Sequence, residues 1–416
     1  MSIATEPAPK NRRVNVRTPE VMERVQAEVE THYRSTLVEN LRRTGGLITV
    51  GNTTLRLAKD FGFCYGVERA IDLAYAARKV FADRKLYLLG EIIHNPEVNR
   101  QLTEMGIIRI PISKHEETVA QLSPDDVVIV PAFGAETRIM DLISARGCLV
   151  VDTTCGDVMS VWKRVRGYAK QGFTSIIHGK AIHEETRATS SRAQGDDGKG
   201  HYLVVLTLGD VDYVCDYMRK GGDKTAFLAR FAGSMSEGFD PDLHLRRVGV
   251  ANQTTMLKSE TEELQRRVQK AVLDRDGPDL AKLNFQVFDT ICGATQERQD
   301  SLFDMLDKPM DVLIVVGGYN SSNTTHLVEI GEKQLPTFFI RTAECLKSFA
   351  EIVHFDLHSK EEKTSYSTKL AGTEPIVVGI TAGASCPNNL IEDTILRVFE
   401  LRGVSREQVM AAAGLS

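Results

Sequence analysis

Ten short apolar runs punctuate this chain, and helical, amphipathic stretches separate most of them. The runs cover 86–89, 127–130, 149–152, 175–178, 203–208, 247–251, 286–289, 312–316, 337–340 and 376–381. Short runs with little polar alternation read as strands buried on both faces, and helices covering a parallel sheet provide that burial. The expected class is therefore α/β. The 416 residues are enough for about two to four domains. Hydrophobic residues make up 42% and charged residues 26%, which excludes disorder as the main state. A net charge of −5 argues against binding to nucleic acid or to an anionic membrane surface. No stretch approaches the roughly 18 uninterrupted apolar residues of a membrane span, and Met1 to Arg13 lacks the apolar core of a signal peptide. Seven cysteines are few and odd in number. That suits a reducing compartment, with any special cysteine catalytic or metal-bound.

Residues 1–17 read as a flexible tail. Thr18-Pro19-Glu20 then opens a helix with a cap, a first-turn proline and an early acid. Val21, Val25, Val29, Tyr33, Leu37 and Leu41 form one apolar stripe, which Gly45-Gly46 ends. Gly51-Asn52 between 47–50 and 53–58 signals a hairpin. Residues 194–200 and the Lys/Glu-rich 358–369 read as exposed loops.

The chain also echoes itself. Val150-Val151-Asp152-Thr153-Thr154-Cys155-Gly156 matches Val287-Phe288-Asp289-Thr290-Ile291-Cys292-Gly293 at five of seven positions. Cys64, in Phe61-Gly62-Phe63-Cys64-Tyr65-Gly66, has a comparable setting. Three cysteines thus stand at the exit of a strand and the entrance of a helix, where α/β proteins bind ligands. Such a repeat suggests pseudo-threefold symmetry. A lone cysteine beside a glycine is ordinarily a small buried residue. Three at matching junctions point instead to a metal centre, and three thiolates leave one iron of a [4Fe-4S] cluster open. Zinc is the rival, although the close Cys-x-x-Cys pairs typical of zinc sites are missing from this sequence. Cys148, Cys215, Cys345 and Cys386 lack the junction setting.

Two further strand ends carry small polar residues. The run 312–316 leads into Gly317-Gly318-Tyr319-Asn320-Ser321-Ser322-Asn323, and 376–381 leads into Ala382-Gly383-Ala384-Ser385. Both suit a phosphate, or are simply caps and turns. His94 follows a strand, and His183 stands beside Glu184 and Glu185, as acid/base candidates or structural histidines. Thr254 is a strand-end hydroxyl in a site or a helix cap.

In order, Phe-Gly-Phe-Cys-x-Gly-Val-x-Arg-Ala (61–70), Glu-Ile-Ile-His-Asn (91–95), Asp-Thr-Thr-Cys (152–155), His-x-Glu (183–185), Asn-Gln-Thr-Thr (252–255), Asp-x-Ile-Cys (289–292), Asn-Ser-Ser-Asn (320–323) and Thr-Ala-Gly-Ala-Ser (381–385) resemble the 4-hydroxy-3-methylbut-2-enyl diphosphate reductase family. The resemblance runs from about residue 54 to 400. It implies three pseudo-threefold-related α/β domains around a central iron–sulfur cluster. The expected division is a 1–46 extension that is mostly one amphipathic helix, then 47–151, then 152–288 with an inserted loop near 190–200, then 289–416 with a C-terminal helix.

The resemblance further implies that Cys64, Cys155 and Cys292 ligate a [4Fe-4S] cluster with one open iron. His94, His183, Ser321, Ser322, Asn323 and Ser385 would bind the diphosphate of a small allylic substrate. Glu185 would deliver a proton, with His183 beside it, and Thr254 would orient the substrate hydroxyl. The implied reaction removes that hydroxyl with two electrons and two protons, as the last step of the non-mevalonate isoprenoid pathway. Reduced ferredoxin or flavodoxin is the implied donor, in a monomer or homodimer. The expected location is the cytoplasm, or the plastid stroma for a plant source. Phe133 stands where many bacterial members have histidine, which removes one imidazole from the diphosphate site and fits the plant and cyanobacterial branch. The competing enzyme reading is a quinolinate-synthase-like [4Fe-4S] dehydratase. A non-catalytic iron–sulfur sensor is a third, although a sensor has no need of the anion-binding motifs.

Overall fold

A computed structural model describes residues 12–288, 290–348, 350–367, 370 and 372–415. Asp289 of the second cysteine motif, and Thr368 and Lys369 of the expected 358–369 loop, lie outside these residues, as do residues 1–11 of the expected tail. The chain divides into two compact units.

The first unit comprises Met1–Val16, Ala77–Ile92 and Thr103–Cys292 and holds two parallel sheets. One sheet runs Arg12–Arg13, Leu149–Asp152, Val127–Val130, Leu86–Leu89, Ile107–Ile110. The other runs Phe285–Val287, Val248–Asn252, Thr174–His178, Tyr202–Val205. The second unit comprises Arg17–Ala76, Ile93–Leu102 and Gly293–Ser416. Its main sheet runs Thr337–Ile340, Val312–Val316, Ile376–Ala382, Thr53–Leu57, Leu47–Val50. Only the last pair is antiparallel, joined by the expected Gly51-Asn52 turn with Gly51 at φ +60°. This sheet therefore pairs strands from both ends of the sequence, Thr53 to Leu57 lying parallel to Ile376 to Ile380.

Central strands are buried along their whole length, as continuous apolar runs require: Val127–Val130, Thr174–His178 and Val312–Val316 expose no residue. Helices seal their faces. Val211, Val214, Met218, Leu264, Val268 and Val272, for example, pack with Leu203, Val248 and Val250 in one core.

Three sequence expectations need correction. The N-terminal stripe is two helices, Pro19–Tyr33 and Thr36–Arg43. Arg34 is extended, and Ser35 caps the second helix by accepting a bond from the Val38 amide at 3.0 Å. Leu37 and Leu41 stay buried on the far side of the break, so apolar spacing alone does not reveal it. Residues 12–16 are not a loose tail: Arg12 and Arg13 pair with Leu149 and Val150, and Val16 is buried. Within 358–369, Glu361–Tyr366 forms a strand paired antiparallel with Glu351–Asp356. A hairpin open to solvent tolerates such charge. Lys363 meets the Asp356 carboxylate at 2.8 Å, and Asp356 also accepts the amides of His358 and Ser359 in the turn. The edge strand Ile107–Ile110 lacks a continuous apolar run, because Arg109 interrupts it. No described helix is long and apolar enough to cross a membrane.

Candidate functional site

Each of Cys64, Cys155 and Cys292 sits directly before a helix: Tyr65–Val80, Gly156–Lys170 and Gly293–Leu306. Each follows a strand of a different sheet. The local bonding repeats as well. The Cys155 amide donates to Ala132 O at 2.9 Å, two residues beyond the neighbouring strand Val127–Val130. The Cys292 amide donates to Thr254 O at 3.4 Å, two residues beyond Val248–Asn252. The Cys64 amide donates to Ala384 O at 3.2 Å, two residues beyond Ile376–Ala382. The threonine of each Asp-Thr-x-Cys copy also bonds the end of that neighbouring strand: Thr153 Oγ1 donates to Val130 O at 2.7 Å, and Thr290 Oγ1 donates to Asn252 Oδ1. The sequence echo is thus a structural repeat, in which one short motif turns a strand into a helix and aligns a cysteine at the turn.

In the first unit, His178 ends a strand and Glu184–Ala193 forms the helix that follows. His183 caps that helix, its Nδ1 accepting from the Glu185 amide at 3.2 Å. In the neutral ring the proton is then on Nε2, a donor nitrogen. Glu185 is 2% exposed. Its Oε1 accepts from the Thr254 amide at 2.6 Å, and its Oε2 from the Thr254 hydroxyl at 3.0 Å. Gln253 braces the same corner, its Oε1 accepting from Thr186 Oγ1 at 3.1 Å and from the Lys180 amide at 3.2 Å. Phe133 faces the His183 ring edge-on, with centroids 5.7 Å apart. Where the resemblance would have a second imidazole, this chain has an apolar wall against His183.

In the second unit, Ser321 caps the helix Ser322–Gly331, its Oγ accepting from the Thr324 hydroxyl at 3.0 Å. Ser321, Ser322 and Asn323 are all buried at this positive helix end. Asn323 Oδ1 accepts from the Ala384 amide at 2.9 Å, while its buried Nδ2 has no hydrogen-bond partner among the described residues. A buried, unused amide donor beside a helix N-terminus suits an anion. His94 Nδ1 lies 3.1 Å from Asn320 Nδ2, and with the amide donating, Nε2 is the donor nitrogen of the neutral His94 ring. Ser385 Oγ donates to His94 O at 3.1 Å. Gly318 allows this approach, since a Cβ there would overlap the His94 carbonyl oxygen.

The structure gathers Glu185, Thr254, His183 and Cys292 into one bonded group, and Cys64, His94, Asn323 and Ser385 into another. Asn320 and Gln253 join these groups from inside the Asn-Ser-Ser-Asn and Asn-Gln-Thr-Thr motifs; sequence alone does not mark them, because their closeness to His94 and Thr186 exists only in the fold.

The donor set fits an iron–sulfur cluster. None of the seven cysteines forms a disulfide, and only Cys64, Cys155 and Cys292 are partly exposed. The other four are buried. Burial pushes the Cys386 thiol up, raises that of Cys148, and raises that of Cys215 to about 11, which disfavours the thiolate a metal requires.

Parallel sheets flanked by helices, with polar and thiol groups at the strand exits, define an α/β protein. The family described as LytB protein matches residues 55–399, and the chain belongs to that family. A 4-hydroxy-3-methylbut-2-enyl diphosphate reductase of Gloeobacter violaceus is 47% identical over 393 residues, covering 93% of this chain and 92% of the relative. The protein of that name from Thermosynechococcus vestitus is 45% identical over 384 residues, covering 92% and 93%. Among solved structures, an (E)-4-hydroxy-3-methyl-but-2-enyl diphosphate reductase superposes with TM-score 0.51 at 26% identity, covering 83% of this chain and 99% of that one. The Plasmodium falciparum reductase superposes with TM-score 0.60 at 21% identity, covering 85% and 90%, and shares the fold.

Proposed function

We propose that the chain reductively dehydroxylates (E)-4-hydroxy-3-methylbut-2-enyl diphosphate to isopentenyl and dimethylallyl diphosphate, the last step of the non-mevalonate isoprenoid pathway. Cys64, Cys155 and Cys292 would hold a [4Fe-4S] cluster, one ligand from each of the segments 47–151, 152–288 and 289–416. The observation that carries this reading is the threefold repetition of the cysteine junction, in a family whose relatives bear the reductase name. That same family membership leaves the dehydratase alternative without support.

When bound, the cluster supplies electrons and an iron with no protein ligand that acts as a Lewis acid. The rest falls to the chain. The allylic C–O bond breaks, two electrons and two protons enter, and water leaves. Hydroxide is a poor leaving group, so a proton must reach the substrate oxygen. Glu185 and Thr254 form a two-member relay. With Glu185 protonated at Oε2, its proton is donated to the Thr254 hydroxyl, whose own hydrogen then turns towards the substrate. The Thr254 amide keeps its bond to Oε1 throughout and fixes the carboxyl group. His183, His94, Ser321, Ser322, Asn323, Ser385 and the helix N-terminus at Ser322 hold the diphosphate and so place the carbon end. Phe133 keeps that pocket apolar beside His183. The electron carrier is a reduced ferredoxin or flavodoxin, and the enzyme works in the cytoplasm.

Anaerobic purification followed by iron and sulfide analysis, then assay with a low-potential reductant, tests the reading. The expected result is about four irons and four sulfides per chain with donor-dependent turnover. Colourless protein without acid-labile sulfide, or turnover with no electron donor, overturns it.

A further inference from the structure

The loop before Cys64 is gripped by side chains that play no part in the chemistry described above. Arg298, on the helix Gly293–Leu306, is 5% exposed. Its Nε donates to Gly62 O at 3.2 Å, and its Nη2 donates to Gly62 O at 2.7 Å and to Phe63 O at 3.1 Å. Its Nη1 donates to Ala294 O at 2.8 Å, so all four bonds end on backbone carbonyls. Nearly one turn along, Ser301 Oγ accepts from the Asp60 amide at 3.2 Å and donates to Asp60 Oδ2 at 2.7 Å. From the opposite end of the sequence, Arg42 Nη2 donates to Phe61 O at 3.1 Å, with its guanidinium 4.4 Å from the centre of the Phe61 ring. Residues 60, 61, 62 and 63 are therefore each held by a side chain from elsewhere, directly before the cysteine.

This loop needs external support. Gly62 has φ +75°, and a Cβ there would press on Cys386 O and Asn388 Oδ1, each at 3.2 Å. Burying a guanidinium against carbonyls is costly unless those carbonyls would otherwise be unpaired. The Gly62 and Phe63 carbonyls meet that condition, because their loop belongs to no sheet ladder.

We infer that Arg298, assisted by Ser301, is a positioning residue that presents the Cys64 sulfur as a ligand in the folded chain. The inference rests on the proposed reading of Cys64 as a cluster ligand. It makes the helix that starts directly after Cys292 responsible for the setting of Cys64 as well.

The test uses the full-length chain handled anaerobically, with Arg298→Met, Arg298→Lys and Ser301→Ala. Iodoacetamide labelling of Cys64 and Cys155 is followed by peptide mass spectrometry, before and after iron is removed with a ferrous chelator. After chelation, Arg298→Met should label Cys64 about tenfold faster than wild type, with Cys155 within about twofold. Arg298→Lys should fall between them, because one ammonium can replace the Nη2 bonds but not those of Nε and Nη1 as well. Iron release to the chelator should speed up in the same order. Unchanged Cys64 labelling in Arg298→Met overturns the inference, as does an equal rise at Cys155, which marks general loosening. Should the Arg298 variants fail to fold, Ser301→Ala decides: about threefold faster Cys64 labelling supports the role, and no change overturns it. Should wild type carry no iron, the cluster reading fails on its own, and the labelling ratio still judges the clamp.

Discussion

Thr254 bonds both oxygens of the Glu185 carboxylate, the amide at 2.6 Å from Oε1 and the hydroxyl at 3.0 Å from Oε2. The two bonds differ in kind. An amide can only donate, so the Oε1 contact survives any proton shift. A hydroxyl can donate or accept, so the Oε2 contact can reverse. Of these two bonds, only the one between Oε2 and the hydroxyl can change direction.

Glu185→Gln should lower kcat by about 10² to 10⁴, with iron and sulfide content unchanged, since an amide cannot deliver the proton. Thr254→Val, which keeps the amide bond and removes the hydroxyl, should lower kcat by about 10 to 10³. Thr254→Ser should recover most of that loss. Steady-state assay with iron analysis on the same samples checks all three; full activity in Glu185→Gln removes the relay.

Asn323 carries the anion prediction. Its Oδ1 is committed to the Ala384 amide, and its Nδ2 has no partner among the described residues. Asn323→Asp keeps the first bond and puts an anionic oxygen where the donor stood. KM for the diphosphate should rise about 10- to 100-fold, with a smaller change in kcat. Asn323→Ala should instead lower stability by about 1–3 kcal/mol, because the Ala384 amide loses its acceptor. Kinetics and thermal melts separate the two effects, and an unchanged KM in Asn323→Asp would place the diphosphate elsewhere.

Most of the sheet framework was legible because buried parallel strands must be nearly continuous apolar runs, and Val127–Val130 or Val312–Val316 could be read to the residue. The cysteine junctions were legible because the motif recurs. Ile107–Ile110 and Glu361–Tyr366 were not, since an edge strand or open hairpin gains stability from pairing rather than burial and tolerates Arg109 or Lys363. The break at Ser35 was hidden by a stripe that continues across it. Arg298 was illegible for another reason: its partners are carbonyls 235 and 236 positions away, and no side-chain pattern marks a carbonyl.

Gly318 tests whether backbone approach, not side-chain identity, sets the His94 corner. Gly318→Ala must displace the His94 carbonyl that accepts from Ser385. The expected cost is about 1–3 kcal/mol in a denaturant melt, with a raised KM for the diphosphate. A variant as stable and as tight-binding as wild type would show that the His94 segment moves without consequence.

The last prediction concerns acid stability. Arg275 forms two bonds of 2.6 Å with Asp276, and Asn284 Nδ2 donates to the same carboxylate at 2.8 Å, so these bonds hold its pKa below the usual 3.8. Arg275 also donates to Leu245 O and Arg246 O, just before the strand Val248–Asn252 that leads to Thr254. A folded pKa below the unfolded one means that the unfolded chain binds the proton first. The stabilisation is therefore fully present above the ordinary value and is lost as pH falls through the lower folded value. Asp276→Asn should melt at a lower temperature than wild type at pH 7, by the equivalent of about 1 kcal/mol. The gap should hold down to about pH 4 and close only below the ordinary value. Melts at pH 7, 5 and the lowest pH at which both proteins remain folded check this; a gap that closes between pH 7 and 5 would assign the effect to a different group.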